Sequence, residues 1–205
     1  MCTKCYSMFV AKELEVAESE VEIDLGMLWV SNDIKWQTQC KKAAAQAMSV
    51  LGMIRRTFPF VDVDGFKLLY NVYIRPHLEF CVQAWSPYFK KDIDCMEKVQ
   101  RRATKMVYGF GNLKYEERLE RLNLFSLQYR RMRGDMIETY KIISGLEDVN
   151  SSQCFARSHT DNLHGHSLKL YKEHFRKVIR KDFFSPRVID QWNGLPVQVV
   201  KAKTL

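Results

Sequence analysis

The sequence predicts a mainly α fold with a small β-containing flap towards its N-terminal end. Three stretches repeat apolar residues at the helical spacing of three and four: Ala43, Ala47, Val50, Leu51, Ile54 and Phe58; Ile93, Met96, Val99, Ala103 and Val107; and Tyr129, Met132, Met136, Tyr140 and Ile143. Strand-like patterning is confined to residues 5–10 (CYSMFV) and 21–30 (VEIDLGMLWV). At 205 residues and 46% apolar composition, the chain can bury one sizeable core or two small ones.

Taken in order, the strand-like stretches are separated by the acidic, helix-favouring residues 11–20, and Ser31-Asn32-Asp33 reads as a turn or a helix start. The first long helix runs from about Trp36 to Phe58 and is stopped by Pro59, with Arg55 and Arg56 in its last turn, where cations complement the negative end of the dipole. Asp62 is placed to cap the next helix, whose apolar face is Phe66, Leu69, Tyr70, Tyr73 and Ile74. Pro76 has no N–H to donate and biases Arg75 away from helical angles, so a kink or break is expected there, before residues 77–85 and the closing Ser86-Pro87.

Asp92 is the expected cap of a basic helix, which is followed by a turn at Gly109 and Gly111 and a short helix over 115–122. Ser126 caps a longer helix that reaches Gly145, a fitting left-handed terminus. Its core face is expected to be Tyr129, Met132, Met136, Tyr140 and Ile143, with Arg130 and Arg131 pointing elsewhere and Arg131 within reach of an intrahelical ion pair to Asp135. Residues 146–165 turn polar and read as a mobile loop. Ser185-Pro186 opens a last helix through Val188, Ile189 and Trp192, which stops at Asn193-Gly194. The organisation expected is 1–33, 34–145, 146–165 and 166–205, and the abrupt end after Val199 reads as a chain cut short.

Charge is unevenly placed. The formal total is +8, yet residues 1–33 hold two lysines against seven acids, whereas residues 98–133 hold ten Lys/Arg against Glu116, Glu117 and Glu120. On the basic helix, Lys98, Arg101, Arg102 and Lys105 fall at i, i+3, i+4 and i+7, opposite the apolar stripe. Like charges at that spacing repel by about 0.2–0.5 kcal/mol per pair, so such a face is mildly unfavourable until something anionic lies against it. Nucleic acid and acidic proteins are the partner classes this favours. A membrane is not: no run of about 18 apolar residues exists, and the basic helix has no Trp or Phe on its apolar side.

Catalytic patterns are missing. There is no GxxxxGK[ST], no GxGxxG and no nucleophile elbow, and His77 has no nucleophile beside it in local spacing. The acid pairs Asp62/Asp64 and Asp92/Asp94 sit at helix starts, where carboxylates favour the positive dipole end. The cysteines at 2, 5, 40, 81, 95 and 154 follow no disulfide framework. Cys2-x-x-Cys5 lacks a second ligand pair, and Cys154, His159, His164 and His166 match no standard zinc spacing. Reduced thiols in an intracellular protein, in the nucleus or the cytoplasm, are the expectation.

A family resemblance adds to this. Residues 51–58 (LGMIRRTF), 74–80 (IRPHLEF), Trp85-Ser86-Pro87, 97–104 (EKVQRRAT), 115–119 (YEERL), 130–135 (RRMRGD), Tyr140-Lys141-Ile142, Gly165-His166, 183–188 (FFSPRV) and 192–196 (WNGLP) occur in an order and at spacings that resemble the region after the palm in non-LTR (LINE-type, jockey-like) retrotransposon reverse transcriptases. The resemblance covers about residues 24–204. It implies that residues 1–33 correspond to the end of the palm and primer-grip-like strands, 34–145 to a helical thumb-like bundle, and 166–205 to a C-terminal extension. Two departures stand out: Leu163-His164-Gly165-His166 replaces the family's usual Thr-Arg-Gly-His, and relatives continue beyond residue 202.

The resemblance implies a fragment of an RNA-directed DNA polymerase that binds a template-primer duplex of RNA and DNA through its phosphates. It does not polymerise alone, since the Tyr/Phe-x-Asp-Asp turn that holds the metals in such enzymes has no counterpart in a sequence without a single Asp-Asp. No cofactor is expected in the fragment, and divalent metal only in a separate palm. Lys98, Arg101, Arg102 and Lys105 are the first candidates for phosphate contact, followed by Arg55, Arg56, Arg130 and Arg133. A palm supplied by another chain is a further partner. The alternative is a helical protein-interaction scaffold that meets an acidic protein, or a relic of a transposable element. A module detached from its palm is expected to expose apolar surface, with Trp36, Phe80 and Trp85 as the candidates.

Overall fold

The computed structural model describes residues 21–24, 28–31, 35–158, 166–175 and 178–202. The protein is mainly helical. The strand expected at 5–10, the acidic segment 11–20, Cys2, Cys5, His159 and His164 lie outside the described residues. Among the described residues the chain divides into two compact units, the first drawn from residues 21–82 and 87–131 and the second from 83–86 and 132–202.

In the first unit, strands β1 (Val21–Asp24) and β2 (Leu28–Ser31) pair antiparallel, with Val21 opposite Ser31 and Asp24 opposite Leu28. The stretch read as one strand over 21–30 is therefore two, and β2 lies against the first helix. That helix, α1 (Gln37–Thr57), buries Cys40, Ala43, Ala44, Ala47, Leu51 and Ile54 along one stripe. Three alanines in the stripe keep its surface low, which lets other helices approach closely. Burial, with the negative charge of Asp92 nearby, pushes the Cys40 thiol up to about 12. Cys40 is therefore expected to resist iodoacetamide at about pH 8.5 in the folded chain and to react on unfolding, as mapped by peptide mass spectrometry.

Asp62 caps α2 (Val63–Leu69) as expected, its carboxylate accepting the Gly65 N–H at 2.9 Å. The break anticipated at Pro76 does not occur. A π turn over Tyr70–Ile74 leads directly into α3 (Arg75–Glu79), and the Arg75 N–H reaches back to the Tyr70 carbonyl. The wider ladder of a π turn accommodates a residue that has no N–H and whose ring would clash with the carbonyl four residues back. The helix ends instead at Phe80, which is extended, followed by Cys81 in the left-handed region at φ 51°.

The basic helix, α4 (Lys90–Thr104), packs on α1 and on α5 (Tyr115–Leu122). It starts three residues earlier than expected, after Phe89. Asp92 is not the cap but a buried residue of the first turn. Ser126 caps α6 (Leu127–Ile143), its hydroxyl accepting the Tyr129 N–H at 3.2 Å, and Gly145 (φ 70°) closes that helix while the Leu146 N–H bonds the Lys141 carbonyl.

The face of α6 is only partly the one its aromatic and methionine residues suggest: Met136, Tyr140 and Ile143 pack, partly buried, against the core of the second unit. Leu127, Arg131, Asp135, Glu138, Thr139 and Ile142 are buried, while Tyr129 and Met132 are 44% and 38% exposed. Arg131 does not point away from the protein; burial lowers the proton affinity of its guanidinium. Trp36 and Trp85 are likewise buried rather than exposed, and Phe80 is half-buried. Large exposed hydrophobics occur elsewhere, among them Phe60, Leu68 and Tyr108.

In the second unit, the core joins Ile142, Phe155, Leu170, Phe184, Val188, Ile189, Trp192 and Val200, with Met136, Tyr140 and Ile143 at its margin. These come from α6, α8 (Phe184–Asn193), α9 (Val197–Val200) and the segments between them. The polar stretch 146–165 holds a helical turn, α7 (Ser151–Cys154), and buries Phe155, so its described part is anchored. Ser185 is not the cap of α8, which starts after Phe183.

The Trp-Asn pair at the end of α8 clamps the incoming chain. Trp192 Nε1 donates to the Leu168 carbonyl at 2.8 Å, and the Asn193 amide both accepts the Leu170 N–H and donates to the Leu170 carbonyl, each at 2.9 Å. His166, buried edge-on against Trp192, shares a 3.0 Å hydrogen bond with the Trp192 carbonyl and so serves the fold. Asn193→Asp removes the donor and sets a carboxylate against a carbonyl. It is expected to cost about 2 kcal/mol in urea unfolding, against less than about 0.5 kcal/mol for the exposed Gln191→Glu.

Candidate nucleic-acid interface

α4 divides the sequence EKVQRRAT between two faces. Inward, Glu97 accepts the Tyr115 hydroxyl at 2.5 Å and the Leu127 N–H at 3.2 Å, so one carboxylate ties α4 to α5 and to the start of α6. Gln100 accepts the Tyr70 hydroxyl at 3.1 Å and donates to the Phe125 carbonyl at 2.9 Å. Burial raises both tyrosine hydroxyls above their ordinary range, with the Glu97 hydrogen bond adding to it at Tyr115, so both stay protonated donors. These contacts fix the rotation of α4 about its own axis.

Outward, that rotation presents Lys98, Arg101, Arg102 and Lys105, all four exposed. Lys98, Arg102 and Lys105 form no ion pair among the described residues. Arg101 is propped rather than loose, its guanidinium 4.9 Å from the centre of the Tyr115 ring, whose environment also includes the buried Arg118 at 5.6 Å. A cation stacked on a ring gives up less side-chain freedom when it meets an anion.

The structure also brings Arg55 and Arg56 into this region. Both are exposed at the end of α1, and the ends of α1 and α4 are joined where the Tyr108 N–H bonds the Val61 carbonyl at 3.0 Å. Cations near two helix ends are partly explained by dipoles, each worth about −0.5 charge. Two such ends and the nearby Asp62 and Asp64 together offset only about three of six cations.

The other two candidates differ. Arg130 donates from Nε to Glu79 at 2.5 Å and from Nη2 at 3.2 Å, and Arg75 joins the same carboxylate at 3.0 Å. The Glu79 hydrogen bond raises the Arg130 proton affinity; its charge is held within the fold and not presented to a ligand. Arg133 is exposed but belongs to the second unit. Sequence reasoning missed the Tyr115 prop and the meeting of the two helix ends. The one available signal was Tyr108, three residues beyond Lys105 in the same helical register.

Among the described residues no group of three or more His, Cys, Asp or Glu side chains is placed to hold a metal ion, and no helix is long and apolar enough to cross a membrane. Neither a family model nor a solved structure matches the chain. An uncharacterized protein of Caenorhabditis elegans is 26% identical to it over 121 residues, which is 58% of this chain and 61% of that protein. The chain thus spans somewhat under two thirds of that relative's length.

Proposed function

We propose that the chain is a non-catalytic nucleic-acid-binding module, the thumb-like region after the palm of a non-LTR retrotransposon reverse transcriptase, which grips a template-primer duplex through its phosphates. The observation that supports this most is the outward face of α4: four exposed cations in one stripe, set by buried hydrogen bonds on the opposite face and in no ion pair among the described residues. From Lys98 to Lys105 the helix rises about 10 Å, which matches about three nucleotides of duplex axis. Phosphate contacts of this kind position a duplex without reading its sequence, as a polymerase thumb requires. The metal-dependent step belongs to a palm with its own aspartates, and the module works inside the cell.

The test is fluorescence-anisotropy binding of the purified chain to an RNA–DNA hybrid and to unrelated duplexes. With about four phosphate contacts, affinity should fall about 150-fold between 50 and 200 mM salt and vary little with sequence. Absence of binding by folded protein, confirmed by circular dichroism, contradicts the reading.

A further inference from the structure

Phe60 and Tyr108 are 77% and 75% exposed, and each is the other's aromatic neighbour, with ring centres 5.9 Å apart in an edge-to-face arrangement. Such exposure means that neither ring contributes much to a core. The anchoring is done by others: Val61 is buried, and the backbone bond from Tyr108 to Val61 needs neither ring. Their position is what distinguishes them. Phe60 follows Arg55 and Arg56 past the end of α1, and Tyr108 follows Arg101, Arg102 and Lys105 past the end of α4. Two runs of cations therefore end at one pair of open rings.

We propose that Phe60 and Tyr108 form a stacking platform for an unpaired base, so that the preferred ligand is a duplex with a single-stranded extension and not an uninterrupted duplex. The proposal rests on the nucleic-acid reading above. Bases inside a duplex are already stacked on their neighbours and gain nothing from a protein ring, whereas a base beyond the last pair has a free π-face. Stacking on aromatic side chains serves that face whatever the base, while adjoining cations hold the backbone. The charge around the pair selects this occupant. An apolar protein segment would leave the cations unanswered, and a polyanion that carries flat rings satisfies both features together.

The experiment compares three ligands on the full chain: a blunt duplex, the same duplex with an overhang of about four nucleotides, and that overhang made abasic. Wild type should bind the overhang duplex about 5- to 100-fold more tightly than the blunt or the abasic one. Phe60→Ala with Tyr108→Ala should abolish that preference while leaving blunt-duplex affinity and its salt slope unchanged. Tyr108→Phe, which keeps the ring, should retain it. A 2-aminopurine at the first overhang position should be quenched by wild type and not by the double variant. Equal binding of overhang and blunt duplex by wild type overturns the platform and leaves the phosphate-binding reading standing. Failure of the folded chain to bind any of the three overturns both.

Discussion

Arg187→Ala should cost about 3–5 kcal/mol, a large share of the 5–15 kcal/mol that holds a typical domain together. Arg187 meets Asp135 through two parallel hydrogen bonds, Nε to Oδ2 and Nη2 to Oδ1, both 2.9 Å, and its remaining N–H groups reach the carbonyls of Asp182 and Gln83 at 3.3 Å. The side chains are only 15% and 8% exposed. Removing the guanidinium leaves a buried carboxylate with one strong partner fewer, and two carbonyls lose a donor. The penalty comes from that stranded charge more than from the pair's own attraction. Arg187→Lys keeps the charge but cannot match both carboxylate oxygens, so it should fall between wild type and alanine. Replacing both partners by apolar residues, Arg187→Met with Asp135→Leu, should recover part of the loss. Urea unfolding followed by circular dichroism measures all three, and a loss below about 1 kcal/mol for the alanine variant would refute the role given to this pair.

The second large effect concerns binding and not stability. Changing Lys98, Arg101, Arg102 and Lys105 together to Gln should lower affinity for an RNA–DNA hybrid by about two to three orders of magnitude near 0.1 M salt, since each lost cation forgoes the release of about one counterion. The same variant should fold at least as well as wild type. Gln is a good helix former, the four side chains are exposed, and their mutual repulsion of a few tenths of a kcal/mol per pair disappears. Loss of the Arg101 contact with Tyr115 offsets part of that gain. An unchanged melting temperature beside a collapsed affinity would separate this face from the fold. Arg130→Gln should do the reverse, weakening the fold through Glu79 with little direct effect on binding.

The helices were legible wherever apolar residues repeat at helical spacing against a polar background. Ala43, Ala47, Leu51 and Ile54 mark α1 in this way, and the short helix over 115–122 lies at the bounds its sequence predicts. α6 was legible as a helix and in part of its face, where Met136, Tyr140 and Ile143 meet the core, but not in its polar buried positions. Those polar positions are Arg131, Asp135, Glu138 and Thr139, and charged residues carry no apolar signal even when a partner 52 residues away, Arg187, lets one of them lie inside. Pro76 misled for a different reason: a π turn absorbs its missing donor, and nothing local in the sequence announces that turn.

On the interface, the exposed stripe of α4 was legible because it depends on one helix alone. The ion pair of Arg130 was not legible because its partner, Glu79, lies 51 positions earlier. The collinear sequence blocks divide between these uses. Glu97, Gln100, Asp135, Arg187, Trp192 and Asn193 hold the fold, and cations of the same blocks, Lys98, Arg101 and Arg102 among them, are exposed.

The most direct test of the central claim is the salt dependence of hybrid binding, wild type beside the four-Gln variant. The logarithm of affinity should fall against the logarithm of salt with a slope steeper in wild type by about three to four, which is the share of four phosphates. Equal slopes, with both proteins folded, would show that the cations of α4 do not touch the phosphates and would contradict it.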